Sequence, residues 1–586
     1  MDENVIKFKA LRNTLGIIFV LLVISAIRLQ IIQGKKYYRL SEENRIRKRY
    51  ISAPRGKIFD RNNLELANTR PGFYVSVIQA VVDSNSLKEI SNILGLDTKT
   101  IKETMKMEKN PFIAVKIAHD ISHRQLAIIE EKIDELNGIE VGVEPVRNYP
   151  YVDILCHLVG YVGEITYDEI KKDNSYSIGD YIGRMGLEEQ YEKHLRGSDG
   201  IEYIEVDARG RMIGRISEKR PIPITNGKDL YTTIDLALTE SVAVYLQNYK
   251  KASCVCLNPQ NGEILVLYSK PGYDPNLFAH GLQQQEWQRL NNAPDAPMYN
   301  RAIMSCYPCG STFKPFVALA ALDANMVTNE KRFEPCRGEY RLGRRIFRCW
   351  KIHYSLDLTN AIVHSCDIYF YQLGRFIGID TIVSRARDVG FGKKTGIDIP
   401  HEKAGLLPDR AWFEKRYGKN WTEGHIFNLS VGQGDLLVTP LQLATTFTVF
   451  ANDGKIPVPH LIKHTAVSYH TTSISKEAIN LVKEALLGVV SSGTGTLAGI
   501  RNCEVCGKTG TAQNPHGNDH SIFVGFAPAH DPQILVCVIV ENAGHGGSIA
   551  APIAGKIMKT YLANITSETP VYQKSGGDDA LQKQVF

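Results

Sequence analysis

The chain has 586 residues, 43% of them hydrophobic, with 69 basic and 63 acidic side chains for a formal net charge of +6. That length and apolar content support two or three folded domains and exclude a largely disordered chain. The near balance of charge, with no basic arm, excludes nucleic acid as the main partner.

The first element is apolar. Thr14 to Ile27 carry no charge, and the run continues to Ile32 past Arg28 and Gln30, close to the roughly 20 residues a membrane span needs. Lys7, Lys9 and Arg12 precede it, as in a signal peptide, but no small-x-small cleavage site follows, so the segment reads as an uncleaved anchor. Lys35, Lys36, Arg39, Arg45, Arg47, Lys48 and Arg49 follow the span and outnumber the basic residues before it. A positive-inside count would therefore keep the bulk of the chain inside the cell, although long domains weaken that rule.

Residues 52–62 are turn-rich and lead into a strand at 73–78. Helical patterns fill 86–136, with a cap at Ser122 ahead of Gln125. The segments Tyr149-Pro150-Tyr151 and Gly186-Leu187-Glu188-Glu189-Gln190-Tyr191 carry no evident chemistry, and the whole region reads as an α+β module. A boundary rich in Pro and Gly falls at 221–227. Beyond it, residues 252–257 and 263–268 predict one β-hairpin, 521–526 and 533–540 a second, and 549–562 a helix. Strands at both ends of a helical middle predict an antiparallel sheet with helices on its faces. Residues 567–586 are polar and form a loose tail.

The chemistry gathers around Gly310-Ser311-Thr312-Phe313-Lys314-Pro315-Phe316, which opens the apolar run 317–322. A buried helix there places the Ser311 hydroxyl and the Lys314 amine on one face. A desolvated lysine can take the proton that a serine must lose to become a nucleophile. A helix N-terminus also favours negative charge on Ser311, and Pro315 suits a first turn. Ser365-Cys366-Asp367 follows about fifty residues on, and Lys508-Thr509-Gly510-Thr511 later, ahead of a strand. The ordered set Ser-x-x-Lys, Ser-x-Asn/Asp, Lys-Thr-Gly is close to the signature of β-lactamases and penicillin-binding proteins.

From the anchor to Leu562 the chain resembles the class B penicillin-binding proteins, of the elongation-specific type. Ala53-Pro54-Arg55-Gly56 with Asp60-Arg61 is similar to the family's first pedestal box, and Gly186-Leu187-Glu188-x-Gln190-Tyr191 to another. Gly432-Gln433-Gly434 with Thr439-Pro440-Leu441-Gln442 resembles the stretch between the second and third motifs. Asp367 stands where many relatives have Asn, and Cys309 where the family usually has Pro. The resemblance implies a cytoplasmic tail (1–13), an anchor (14–32), a pedestal (33–225), a transpeptidase domain (226–566) and the polar tail (567–586). It also implies a single-pass inner-membrane protein with its catalytic domain in the periplasm, which outweighs the positive-inside count.

The roles implied are equally definite. Ser311 would attack the D-Ala-D-Ala carbonyl of a peptidoglycan stem peptide, with Lys314 as general base and Ser365 as proton relay to the leaving amine. Asp367 would orient Lys314 or the substrate amide, Lys508 would supply positive charge, and Thr509 and Thr511, flanking Gly510, would hold the substrate carboxylate. The N–H groups of Ser311 and Thr511 would form an oxyanion hole, worth roughly 3 kcal/mol per donor in other acyl-transfer enzymes. β-Lactams would trap Ser311. The implied partners are a membrane glycan polymerase of the shape, elongation, division and sporulation family and a rod-shape envelope protein on the pedestal. A D,D-carboxypeptidase, a β-lactamase-like hydrolase and an envelope scaffold or β-lactam sensor are the alternatives. No organic cofactor is implied.

The chain contains 11 cysteines, an odd number that prevents complete internal pairing. Cys336, Cys349, His353 and Cys366 fall between the first two motifs. Three thiolates and an imidazole are a complete tetrahedral set for structural zinc with no open position. A Cys336–Cys349 disulfide and unpaired thiols are the other readings. Cys306 and Cys309 precede Ser311, and Cys503 and Cys506 precede Lys508; local disulfides or plain packing fit these better than a four-thiolate site. Cys156, Cys254, Cys256 and Cys537 lie in apolar stretches and read as small buried hydrophobes.

Overall fold

A computed structural model describes the chain except residues 1–2, 39–45, 107, 109, 174, 177–178, 207–211, 217–218, 280, 283, 516 and 567–586. The predicted polar tail lies outside the described residues, as do Arg39 and Arg45.

Helix α1 (Glu3–Ile27) is exposed from Ile6 onward and runs on through a wider π turn at Arg28–Ile32. Ile6–Ile32 is long and apolar enough to cross a membrane by length and composition. The helix begins well before the apolar run at Thr14, because the polar residues ahead of it, among them Lys7, Lys9 and Arg12, are themselves good helix formers.

Next come β1 (Ile46–Ile51), β2 (Ile58–Phe59), β3 (Glu65–Ile78), α2 (Ser84–Leu94), α3 (Thr98–Met105), β4 (Ala114–Ala118), α4 (His123–Glu131) and β5 (Ile139–Asn148). The helical expectation for 86–136 needs correction at β4, which pairs antiparallel with β3 between two helices. Ser122 caps α4 as predicted, in a reciprocal box with Gln125. β3 is longer than the sequence suggested, because it pairs with β5 along ten successive positions from Asn68↔Asn148 to Val77↔Ile139. Val75, Val77, Ile90, Ile101, Ile129 and Leu136 fill the core between this sheet and the helices.

The two pedestal boxes meet through charge. Glu188, on the short helix α5 (Gly186–Gln190), is fully buried and accepts from Arg147 Nε at 2.6 Å and from Arg55 Nη2 at 2.7 Å. Arg55 Nη2 also reaches Glu192 at 2.8 Å, and Arg147 Nη1 donates to the Gly56 carbonyl at 2.7 Å. Burial pushes the Glu188 carboxyl upward, but Arg147 and Arg55 more than offset it and hold the group below the usual carboxylate range. Strands β6 (Gly200–Val206) and β7 (Met212–Arg215) extend β1 into a separate sheet.

The second domain starts at β8 (Leu230–Tyr231), which pairs parallel with β2. Asp235 caps α6 (Leu236–Tyr245). A five-stranded antiparallel sheet follows the order β10 (Ile264–Lys270), β9 (Ala252–Leu257), β15 (Ile534–Val540), β14 (His520–Ala527), β13 (Cys506–Ala512). Both predicted hairpins are present. The central strands are buried on both faces, which explains their unbroken apolar runs. Alternate residues serve opposite layers. Cys254, Val536 and Val538 pack toward α6 and the C-terminal helix α12 (Ala550–Thr566), while Val255, Cys537 and Ile539 face the layer holding α7 (Lys314–Asp323) and α10 (Pro440–Ala451). Between α7 and α10 the chain forms the hairpin β11 (Glu339–Leu342) and β12 (Arg345–Arg348), then α8 (Leu358–Val363) and α9 (Asp367–Asp388). Helix α11 (Lys476–Ser491) packs on β13. The two domains are pinned together: Tyr149 and Asn276 exchange hydrogen bonds at 2.9 and 3.0 Å, and Tyr191 Oη donates to Asp398 at 2.9 Å.

Replacing Glu188 by Gln leaves Arg147 without its counter-charge and Arg55 with Glu192 alone, which breaks a buried pair at a cost of ~3–5 kcal/mol. Because the folded-state carboxyl is held low, its contribution is present above the unfolded value of about 4.3 and lost as pH falls through the folded one. Urea unfolding should therefore show a large deficit for Glu188→Gln at pH 7 that narrows toward pH 3.

Candidate active site

α7 is apolar on every side, and residues 314–321 are all buried, so it is a central helix. Phe316 anchors it with ring centroids 4.8 Å from Phe391, 5.4 Å from Phe447 and 5.2 Å from Phe450. Ser311 does not lie in α7 itself. It sits in a 3-10 turn, Gly310–Phe313, that feeds into it, and is half-buried where Lys314 is fully buried.

The Lys314 ammonium is caged. Nζ donates to the Ser365 carbonyl at 2.8 Å, to Ser365 Oγ at 3.1 Å and to Asp367 Oδ1 at 2.7 Å. Ser365 can present both oxygens because of how α8 ends. Its φ is +54°, and Cys366 N–H closes back on the Ala361 carbonyl at 3.0 Å. This is the left-handed helix-terminating position usually given to glycine. A serine there costs on the order of 1–2 kcal/mol, a strain offset by the cage it completes. Asp367 opens α9, where the helix dipole favours a carboxylate. Burial pushes its carboxyl upward against the pull of Lys314.

Lys508 lies on β13, also fully buried, with Nζ donating to the Thr509 carbonyl at 3.1 Å. Burial, then repulsion from Lys314, drives its pKa well down, with Asp367 acting against them. Two buried lysine side chains thus share one carboxylate, so the site is short of negative charge. Gly510, two residues along the same face, abuts the serine turn: an added Cβ would lie 2.9 Å from the Cys309 carbonyl oxygen. Thr509 and Thr511 occupy the opposite face. Thr509 is buried with its hydroxyl 2.7 Å from that of Thr494, while Thr511 is partly exposed. Thr511 is therefore the more accessible hydroxyl of the pair.

The segment 432–434, noted in the sequence without a role, ties the serine turn to β13. Gly310 N–H donates to the Gly432 carbonyl at 2.8 Å, and Gln433 Nε2 donates to the Thr511 carbonyl at 2.8 Å. Gly310 and Gly432 have φ of +55° and +71°, and a Cβ on Gly432 would fall 2.0 Å from the Gly310 carbonyl oxygen. Only glycine permits both the dihedral and the approach. Sequence reasoning named Gln433 without a role and missed Thr494, because their partners are brought near only by folding.

The four predicted metal-binding residues do converge. The donor atoms of Cys336, Cys349, His353 and Cys366 lie within 4.8 Å of one another. His353 Nδ1 is 3.5 Å from Cys349 Sγ and 3.7 Å from Cys336 Sγ. A tetrahedral ion with Zn–S of about 2.3 Å and Zn–N of about 2.0–2.1 Å separates sulfur and nitrogen by about 3.5–3.6 Å, so donor set and spacing both fit. Among the described residues the buried His353 Nε2 has no hydrogen-bond partner. The hydrogen bond between Cys366 and Cys349 lowers the Cys349 thiol's pKa and raises that of Cys366. Asp367 N–H donates to Cys349 Sγ at 3.3 Å, linking the cluster to the Lys314 cage. All 11 cysteines are free thiols, so the alternative Cys336–Cys349 disulfide is not formed and neither are local bridges at Cys306/Cys309 or Cys503/Cys506.

A serine on the turn that leads into a caged lysine, with a second buried lysine on a strand pressed against that turn, has the groups a serine acyltransferase needs. Residues 252–559 match the model of the penicillin-binding protein transpeptidase domain, and residues 50–232 that of the penicillin-binding protein dimerisation domain. The chain is 34% identical to the peptidoglycan D,D-transpeptidase MrdA of Acinetobacter baumannii, covering 93% of this chain and 86% of the relative. It is 32% identical to that of Escherichia coli K12, over 95% and 94%. Among solved structures, the penicillin-binding protein 2 of Helicobacter pylori in complex with MreC superposes with a TM-score of 0.79 at 26% identity, over 88% of this chain and 99% of that one. The chain belongs to the penicillin-binding proteins and is of the penicillin-binding protein 2 type.

Because burial depresses Lys508, the lysine costs the fold stability below its folded pKa, and that cost fades as pH rises toward the unfolded value of about 10.4. Lys508→Met should thus raise the thermal midpoint, by more at pH 6 than at pH 10, while abolishing acylation by a carboxylate-bearing β-lactam.

Proposed function

We propose that this chain is a serine-type peptidoglycan D,D-transpeptidase acting in cell-wall elongation. The observation that carries this reading is the Lys314 cage, in which one ammonium meets two oxygens of Ser365 and the carboxylate of Asp367. Lys314 as the free amine takes the Ser311 hydroxyl proton while Oγ attacks the carbonyl carbon of the penultimate D-Ala. The C–N bond to the terminal D-Ala breaks, and its nitrogen receives a proton through Ser365. The amine of a neighbouring strand then attacks the Ser311 ester, forms the cross-link and frees Ser311.

Lys508 answers the shortage of negative charge by attracting the substrate carboxylate, with Thr511 as its hydrogen-bonding partner and Thr509 held behind it by Thr494. The N–H groups of Ser311 and Thr511 serve the oxyanion, and Gly510 lets β13 lie close to the serine turn. A β-lactam follows the same course as far as the acyl-serine and stops there.

Residues 14–32 anchor the chain as a single span in the inner membrane. Residues 1–13 lie on the cytoplasmic side, and a periplasmic pedestal (33–225) carries the transpeptidase domain (226–566). The Helicobacter pylori relative assembles with MreC, and an equivalent rod-shape protein would dock on this pedestal; a membrane glycan polymerase would supply the strands.

Cys336, Cys349, His353 and Cys366 would hold a structural zinc ion. A closed site of three sulfurs and one nitrogen supplies fixed geometry without an open coordination position. Cys366, between Ser365 and Asp367, carries that rigidity into the second motif.

Intact-protein mass spectrometry with a labelled penicillin should show one stable adduct on the wild type and none on Ser311→Ala; no adduct on either would overturn the assignment. A native spectrum should add the mass of one zinc, lost in Cys349→Ser. A Cys349→Ser protein that retains the metal would reject this ligand set.

A further inference from the structure

The hairpin β11–β12 and the segment after it form a strongly basic face beside the active site. Its inner side chains, Tyr340 and Phe347, pack on Phe427 with ring centroids 5.8 and 4.9 Å away. That packing fixes which side points outward: Arg341 pairs across the ladder with Ile346, and Glu339 with Arg348. Arg344 occupies the turn, Arg345 stands exposed at the turn end opposite Leu342, on the side that carries Phe347, and Trp350 and Lys351 follow. Glu339 is the lone acid of the hairpin and is engaged by Arg341 at 3.4 Å. Among the described residues, Arg344, Arg345, Arg348 and Lys351 make no ion pair.

This face is continuous with the catalytic groups. The Trp350 indole N–H donates to the His364 carbonyl at 3.2 Å, one residue before Ser365, while 59% of the residue remains exposed. Tyr371 of α9 donates to the Arg348 carbonyl at 3.3 Å, so the hairpin is braced on the helix that starts at Asp367. Ile352 and Tyr354 leave 49% and 72% exposed beside Trp350. A large aromatic and aliphatic surface rimmed by unpaired cations marks a binding face rather than a solvated edge.

We propose that this hairpin is a docking surface for an uncross-linked glycan strand carrying acidic stem peptides, an inference that rests on the transpeptidase reading and names how its polymeric substrate is held. Two observations select that occupant. Stem peptides repeat carboxylates along the polymer, matching a row of arginines without counter-ions. Continuity with Ser365 also means that a chain lying here leads directly to the reacting serine. Trp350 offers a flat apolar face to a sugar ring, and Arg344, Arg345 and Arg348 engage the peptide carboxylates. Exposed charge pairs are individually weak, so the face works by adding several along one strand.

The test uses the full chain in detergent and labelled, uncross-linked glycan strands with intact stem peptides, beside the same strands stripped of peptide by an amidase. Reversing three charges (R344E/R345E/R348E) should weaken binding of the intact strands about tenfold or more. The loss should shrink as salt rises. Stripped strands should bind weakly to both proteins. A neutral variant (R344Q/R345Q/R348Q) with an unchanged unfolding midpoint should give an intermediate loss, which guards against misfolding. Wild-type affinity in both variants would overturn the proposal, as would stripped strands binding as well as intact ones. Equal competition by polyglutamate would also overturn it and assign the face to an acidic protein. Penicillin acylation of the wild type separates the two levels: its failure removes the transpeptidase reading, while its success with unaffected strand binding removes only the docking surface.

Discussion

The structure depends on a buried ammonium with one carboxylate to answer it. An isolated charge of this kind is expensive to desolvate, and it persists only where hydrogen bonds and a counter-charge replace water. Lys314 obtains these from a single tripeptide, Ser365 to Asp367, held between two helices. The end of α8 must put Ser365 in a left-handed conformation, and the start of α9 must present Asp367. A lysine that had to find three partners from flexible loops would be loosely placed. Here the partners are fixed by helix termini, and Lys314 follows directly on the turn that carries Ser311.

The same logic extends outward. Lys508 is a second buried lysine without a carboxylate of its own, and it sits on a strand pressed against the serine turn. Gly310 and Gly432 allow that pressing, and Gln433 fastens it through the Thr511 carbonyl. The Cys/His cluster braces the other side through the Asp367 N–H. Destabilising charge at the centre is thereby supported by a shell of backbone contacts, a common arrangement where function and stability compete. In the pedestal, by contrast, Glu188 is matched by two arginines and serves structure alone.

Ser311 and Lys314, Ser365 and Asp367, and the Lys508 triplet were legible in the sequence because each is a short local pattern whose spacing has chemical meaning. The four cysteine and histidine positions were legible for the same reason, since ligand type and spacing restrict the options. The pedestal boxes were visible as patterns, but their link was not: Arg55 and Glu188 are 133 positions apart. Strand β4 was read as helix because five half-buried residues between two helices carry too little periodicity to separate the classes. The role of Gln433, and Thr494 altogether, were missed because each acts on the backbone or hydroxyl of a residue on β13, which only folding brings near. The outward arginines of β11–β12 gave no signal until the inner packing of Tyr340 and Phe347 fixed which side faces solvent.

The central claim is that Ser365 and Asp367 together position Lys314 for the chemistry proposed at Ser311, and the rate of penicillin acylation in Asp367→Ala beside Asp367→Asn tests it most directly. Asparagine can keep a hydrogen bond to Nζ at the place where the carboxylate now accepts one, whereas alanine removes that partner. The account predicts much slower acylation in the alanine variant, with a substantial part of the rate kept by the asparagine variant. A wild-type rate in Asp367→Ala would contradict the cage as the device that positions Lys314.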